Sequence, residues 1–276
     1  MNLANSVKRF TLETFTDPYG IGGSILGHLS VFDDEKSSGT STRRRILETM
    51  ASYTMFSTGC VSHNGVDYIV GKPNYDFHKG IVVRAKYPII PCDFEYKVAS
   101  ILQILTNTVT STVTYAFLDQ TKNAVADSET SYAVTTLTAF FQGLESVSKG
   151  QILFTGSSYY RVKSDPYIDG AGFLNAEVLL LSSPVQTVTY TQISGYNPTT
   201  DTITNGTSYS NTKVFVEDAY YSYEHNSERY SQLKPGDKNI TFKPSITPKV
   251  GDLVGAYKIL TVDTLSDSAF SCHCRK

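Results

Sequence analysis

The sequence predicts an all-β protein made of small β-barrel or sandwich units with long β-hairpins, repeated two to three times along the chain. Three observations carry that expectation. The composition is one: 32 Thr, 30 Ser, 19 Tyr and 14 Phe stand against only 18% charged residues, and Thr, Tyr and Phe suit a pleated, half-buried surface. Strict alternation of side-chain character over several stretches is another. The third is the recurrence of tight-turn dipeptides between short apolar runs, such as Asn64-Gly65, Asp169-Gly170 and Asn205-Gly206. A helical bundle or coiled coil would be rich in Ala, Glu, Lys and Leu, which this chain is not. Its 276 residues accommodate one large all-β domain or two to three small ones.

The elements follow in order. Val7 to Phe15 reads as a strand, Asp17-Pro18-Tyr19-Gly20 as a turn, and Ile25 to Phe32 as the second strand. A polar loop from Asp33 to Arg45 holds the only basic run, Arg43-Arg44-Arg45. Ile46 to Phe56 is long enough for a helix, but Thr49, Tyr53 and Thr54 favour an extended chain. In CVSHNGVDYIV (Cys60 to Val70), Asn64-Gly65 supplies the positive-φ pair of a type I′ hairpin. The strand Ile81 to Tyr87 then closes the unit, ahead of Pro88 and Pro91. Thr106, Thr108, Thr110, Thr112 and Thr114 fall on every second residue, which would place them on one face of a strand. With Ser131 to Phe141 this forms a long hairpin whose tip spans Asp119 to Glu129. Val185 to Tyr209 is again hairpin-like, with turns expected at Gly195–Pro198 and at Asn205-Gly206.

A weak internal repeat runs through these elements. The pattern of glycine, short strand, tight turn, Tyr-containing strand, polar turn and last strand occurs from Cys60, from Gly150 (GQILFTGSSYYRV) and from Gly251 (GDLVGAYKILTVD). Residues 1–93, 94–190 and 191–276 are accordingly the expected domains. The regions Asn107 to Ser111 and Thr199 to Ser210 are polar on both faces, as surfaces are that are solvated or meet a partner.

A search for chemistry finds no constellation. The five histidines form no HxxxH or HExxH pair. In a strand, Cys272 and Cys274 share one face and His273 the other, so the three cannot grip one metal. Tyr19-Gly20-Ile21-Gly22-Gly23 lacks the Lys-Ser/Thr ending of a phosphate loop and opens no helix. There is no GxSxG elbow, and no carboxylate pair is singled out. No cofactor, metal or catalytic residue is expected. Four cysteines without framework spacing point to reduced thiols. No apolar run approaches the roughly 20 residues of a membrane-spanning helix, and a formal charge of −2 provides no field to concentrate nucleic acid.

The order of elements in the first 93 residues resembles the head-closure (stopper) and related neck proteins of tailed bacteriophages. VKRFTLETF matches their first strand, DPYGIGG their Gly-rich loop, and GHLSVF the next strand. The basic-containing loop and the closing hairpin GCVSHNGVDYIVGKPNYDFHKGIVVRAKY complete the match. The resemblance covers about a third of the chain. It implies a non-enzymatic virion protein, synthesised in the host cytoplasm, that forms a ring of six or twelve copies around the DNA channel between portal or adaptor and tail. Arg43, Arg44, Arg45, Lys122 and Asn123 are the expected subunit or DNA-channel contacts. The alternative reading is a carbohydrate- or receptor-binding β-protein of a tail fibre or baseplate, for which the high Tyr and Thr content speaks and the absence of Trp does not. A hydrolase on a β-scaffold ranks third, for want of a nucleophile.

Overall fold

A computed structural model describes residues 12–31, 44–50, 53, 55–56, 59–92, 94–110, 114–125, 134–141, 147–197, 199–200, 202–219, 234, 236–265 and 269–276. The architecture is all-β, and one topology occurs in it three times. Barrel 1 contains β1 (Glu13–Thr16), β2 (Ser24–Val31), β3 (Arg45–Met50), β4 (Cys60–His63), β5 (Val66–Val70), β6 (Asn74–His78) and β7 (Ile81–Pro91). Its sheet runs β3-β2-β1-β4-β5-β7-β6 and closes on itself by pairing β3 with β7.

Barrel 2 repeats the scheme with β8 (Phe94–Ala99), β9 (Thr114–Val125), β10 (Val134–Phe141), β11 (Ile152–Phe154), β12 (Tyr159–Val162), β13 (Tyr167–Ile168) and β14 (Leu174–Leu181). The order is β10-β9-β8-β11-β12-β14-β13, closed by β10 against β14. Barrel 3 is a closed ring of β15 (Val185–Asn197), β16 (Thr202–Asp218), β17 (Lys238–Phe242), β20 (Phe270–Arg275), β19 (Tyr257–Thr264) and β18 (Leu253–Val254).

The register explains why the third barrel has one strand fewer. Arg84, Ala85 and Lys86 of β7 pair with β3 on one side and with β6 on the other. Ile89 pairs with β3 and with β5. β5 and β6 therefore lie along the same edge of β7, as one strand broken at Gly71–Pro73. In barrel 3 the unbroken β19 covers that edge of β20. The weak repeat of the sequence is thus a repeat of pairing topology, its third copy included.

Each barrel encloses its own core. Phe15, Leu47, Tyr68 and Ile89 fill the first, Tyr96, Phe141, Leu153 and Val178 the second, and Tyr190, Ile240, Phe242 and Ile259 the third. Cys272 and Cys274 face into the third core and His273 lies on the opposite face, as strand alternation requires. The chain forms two compact units. Met1–Val98, Ser111–Gly156 and Tyr160–Leu180 make the first, with barrels 1 and 2. Ala99–Thr110, Ser157–Tyr159 and Leu181–Lys276 make the second, with barrel 3.

Three local expectations are corrected. Thr106, Thr108 and Thr110 are not on a strand: Ile101–Thr106 is a helix (α1), and β9 starts only at Thr114. A capping box decides it. Ser100 Oγ accepts from the Gln103 amide at 3.2 Å, and the Gln103 side chain accepts from the Ser100 amide at 2.8 Å. Asn107, at φ 57°, ends the helix in the left-handed region. Asn205-Gly206 is not a turn but lies inside β16; the reversal falls between Asn197 and Thr202. Gly206 sits close to the opposite strand there: a Cβ would stand 3.2 Å from the Gln192 carbonyl, beside two register shifts of β15. The expected boundary at 190/191 cuts through β15. Among the described residues, no helix is long and apolar enough to cross a membrane.

Candidate assembly surfaces

Of the residues expected to make contacts, Arg44 has the most defined setting. Its guanidinium lies 5.7 Å from the ring centres of both Phe140 and Phe173 and 3.5 Å from the Asp169 carboxylate. Phe140 and Phe173 meet edge to face at 6.3 Å and close an apolar cluster with Ile69 and Ile90. Arg44 is therefore a joint between barrels 1 and 2 inside the first unit. Asp169 is held for this role by the amides of Ala171 and Phe173, at 2.9 and 3.0 Å.

The strand break of barrel 1 is the other half of the joint. The Lys72 amide donates to the Ala171 carbonyl at 2.7 Å, and the Gly71 amide to the Pro88 carbonyl at 2.8 Å. A Cβ on Gly71 would stand 2.5 Å from the Ala171 oxygen, and one on Gly172 would stand 2.4 Å from Lys72 Cβ. The loop Asp169–Phe173 is thus a plug, and the break at Gly71–Pro73 its socket. Beside it, Arg44, Lys72, Asn74 and Pro88 line a groove of about 260 Å³.

Arg43, the loop from Asp33 and the hairpin tip beyond Val125 lie outside the described residues. Arg45 opens β3, is exposed and pairs with Val31 and Ile89. Lys122 and Asn123 belong to β9; Asn123 pairs with Thr136, and Lys122 sits at the register shift that follows. Arg44 and Arg45 thus stand at the start of β3, and Lys122 and Asn123 in β9.

Two further surfaces stand out; the first escaped the sequence, and the second overlaps the Thr199–Ser210 stretch expected to be solvated or to meet a partner. At the mouth of barrel 1, Tyr53, Met55, Pro73, Tyr75, Ala85 and Tyr87 line a cleft of about 420 Å³, to which no charged side chain contributes among the described residues. Burial, with a smaller contribution from Tyr75, raises the Tyr87 phenol above its ordinary value. The β6–β7 hairpin continues outward from this cleft with Phe77 65% and Ile81 69% exposed. The available signal was Tyr75, Phe77, Ile81 and Val83 alternating on either side of Lys79-Gly80; alternation in a hairpin does not reveal whether anything covers its apolar face.

Barrel 3 carries the other surface. β16 pairs with β17 only over Val214–Asp218, and β15 pairs with β18 only at Tyr190 and Thr191. Beyond those points β15 and β16 form a two-stranded ribbon with both outer edges unpaired among the described residues. Thr202 to Asn211 are exposed throughout.

The ribbon is rooted on one buried acid, Asp252, and a second, Asp237, lies beside the other end of β16. Asp252 accepts from Tyr190 Oη at 2.6 Å and from the amides of Ile193 and Lys249 at 2.9 Å. Burial and then the Asp252 hydrogen bond raise the Tyr190 phenol well above its ordinary value. Asp237 accepts from His273 Nε2 at 2.8 Å, from Arg275 at 2.8 and 2.7 Å and from the Lys234 amide at 2.9 Å. Burial alone would raise its pKa, but these donors together hold the carboxyl at about 2.

All four cysteines are free thiols. The hydrogen bond with Cys92, and then burial, push the Cys60 thiol far up, and burial pushes Cys274 to about 12. Thiols so shifted are not nucleophiles at neutral pH. Among the described residues no group of three His, Cys, Asp or Glu side chains converges to hold a metal. Comparison with protein-family models, with characterised proteins and with solved structures finds no match to this chain.

Proposed function

We propose that this chain is a structural protein of a tailed-phage virion, assembling as a ring of identical copies in the neck between portal and tail. The observation that carries the reading is the ribbon of β15 and β16. A two-stranded hairpin standing alone is marginally stable in water, and this one offers two open edges and no apolar face to a core. Open edges accept strands of another chain, and edges that meet a different surface on the next copy generate rings when the rotation closes. Barrel 3, a closed ring of strands, provides the base of such a ribbon. The slightly negative net charge suits a channel through which DNA passes without being retained.

The test is assembly. Full-length chain, alone and mixed with the portal of the same phage, is measured by native mass and negative-stain imaging. Rings or portal-bound rings are the expected result; a chain that stays monomeric in both mixtures overturns the reading.

The tyrosine-lined cleft of barrel 1 favours a second reading, glycan or receptor binding. Three tyrosines offer ring faces and hydroxyls to a neutral ligand. A glycan array with wild type and Tyr87→Ala separates the two: sugar retention lost in the variant, with no ring formation, selects the second.

A further inference from the structure

The β6–β7 hairpin of barrel 1 is amphipathic in an unusual sense. Its outward side is closed by ion pairs, Asp76 with Lys86 at 2.9 Å and Arg84 with Glu48 at 3.5 Å. Tyr75 pairs with Ala85, whose side chain lies in the core of barrel 1. Strand alternation puts Tyr75 and Phe77 on the core-facing side, and the register shift after Asp76, which sets Phe77 opposite Val82 and His78 opposite Ile81, turns Ile81 to the other face of the tip. The hairpin outruns the barrel, and Tyr75, Phe77, Ile81 and Val83 are 50, 65, 69 and 42% exposed. An exposed apolar tip with no wall opposite it among the described residues is the mark of a contact made elsewhere.

The repeat says what kind of contact. In barrel 2 the Lys163 amide donates to the Glu177 carbonyl as the Gly71 amide donates to Pro88 in barrel 1. Counted back from Pro88 and Glu177, the pairs Tyr75–Ala85 and Ile168–Leu174 correspond, so the hairpin tip Asp76–Arg84 takes the place of the loop Asp169–Phe173. That loop is the plug seated in barrel 1. Barrel 1 thus presents its own element at the plug position, enlarged, apolar and uncovered.

We infer that the tip Asp76–Arg84 docks on a barrel of a second copy of this chain, extending the plug contact of barrels 1 and 2 from one molecule into the next. The inference rests on the ring reading and deepens it by assigning a subunit contact. The contact is heterologous, because the tip meets a surface other than itself, as ring closure requires. The exposed Phe77, Ile81 and Val83 of the tip suit an apolar protein surface of the same kind as the cluster of Ile69, Ile90, Phe140 and Phe173.

The experiment places the photo-cross-linker p-benzoylphenylalanine at Phe77 in the full chain. ¹⁵N-labelled and unlabelled copies are mixed, irradiated with and without portal, and the products are mapped by mass spectrometry. Cross-links joining labelled to unlabelled copies are expected. The double variant Phe77→Asp/Ile81→Asp should weaken self-association roughly tenfold or more while keeping the wild-type circular dichroism spectrum and melting temperature. Rings that form with cross-links only inside one chain, or only to portal, overturn the docking but leave the ring reading standing. Retention of the tip on phosphatidylcholine/phosphatidylglycerol vesicles in place of inter-copy cross-links likewise overturns it. A chain that stays monomeric throughout overturns both.

Discussion

Asp17, Asp169, Asp237 and Asp252 each bind backbone amides or buried donors around a loop. Asp17 accepts from the amides of Tyr19 and Gly22, both at 3.0 Å. At Asp237 the donors outweigh burial and favour the charged form. For Asp237, with a folded pKa of about 2 against roughly 3.9 in the unfolded chain, the sign is definite. The contribution is present in full above about pH 4 and is lost as the pH falls toward 2; it amounts to about 2 kcal/mol. Asp237→Asn should lower unfolding stability by about 2–4 kcal/mol at pH 7, with a difference from wild type in urea titrations that shrinks between pH 4 and pH 2. Tyr190→Phe, which removes one donor and leaves Asp252 its two amides, should destabilise by about 1–2 kcal/mol on the same measurement. Little of this was legible in the sequence. Asp237 precedes its partners by 36 and 38 residues, and only the fold brings the strand of His273 and Arg275 beside it. The Arg43–Arg45 run was visible, yet the seating of Arg44 between two phenylalanines depends on Phe140 and Phe173, far along the chain.

Elements were legible where a turn dictates them. Asn64 and Gly65 adopt φ 50° and 76° and join β4 to β5 as a type I′ pair should. The Thr-rich stretch misled because its first member, Thr106, closes the helix Ile101–Thr106, whose start is set by the capping box of Ser100 and Gln103 ahead of the threonines. The plug and socket are glycine-dependent, and this gives a paired prediction. Gly172 has φ 84° and no space for a Cβ, whereas a Cβ on Gly170 meets nothing within 4 Å. Gly172→Ala should accelerate hydrogen exchange at the Lys72 amide and destabilise the first unit by about 2 kcal/mol or more. Gly170→Ala should leave both within about 0.5 kcal/mol of wild type. For the ribbon, replacing residues 195–204 with an Asn-Gly turn keeps Ile193 on Asp252. The thermal unfolding of barrel 3 should be unchanged and ring formation lost, as read by native mass.

At the scale of the molecule, the repeat was visible as a spacing of glycines, turns and tyrosines, while the closure of each sheet was not. Closure pairs strands far apart in sequence, β3 with β7, β10 with β14 and β15 with β18, and no local pattern encodes such a pairing. That same closure has a consequence for synthesis. Barrel 1 cannot complete its wall until β7 has left the ribosome at Pro91, but from that moment its broken strand at Gly71–Pro73 is in place. The plug Asp169–Phe173 is translated about a hundred residues after Lys72, on the order of 5–20 s later. Barrel 2 is therefore born facing a finished receptor, and the order of translation itself selects the partner for its loop before any other copy can compete.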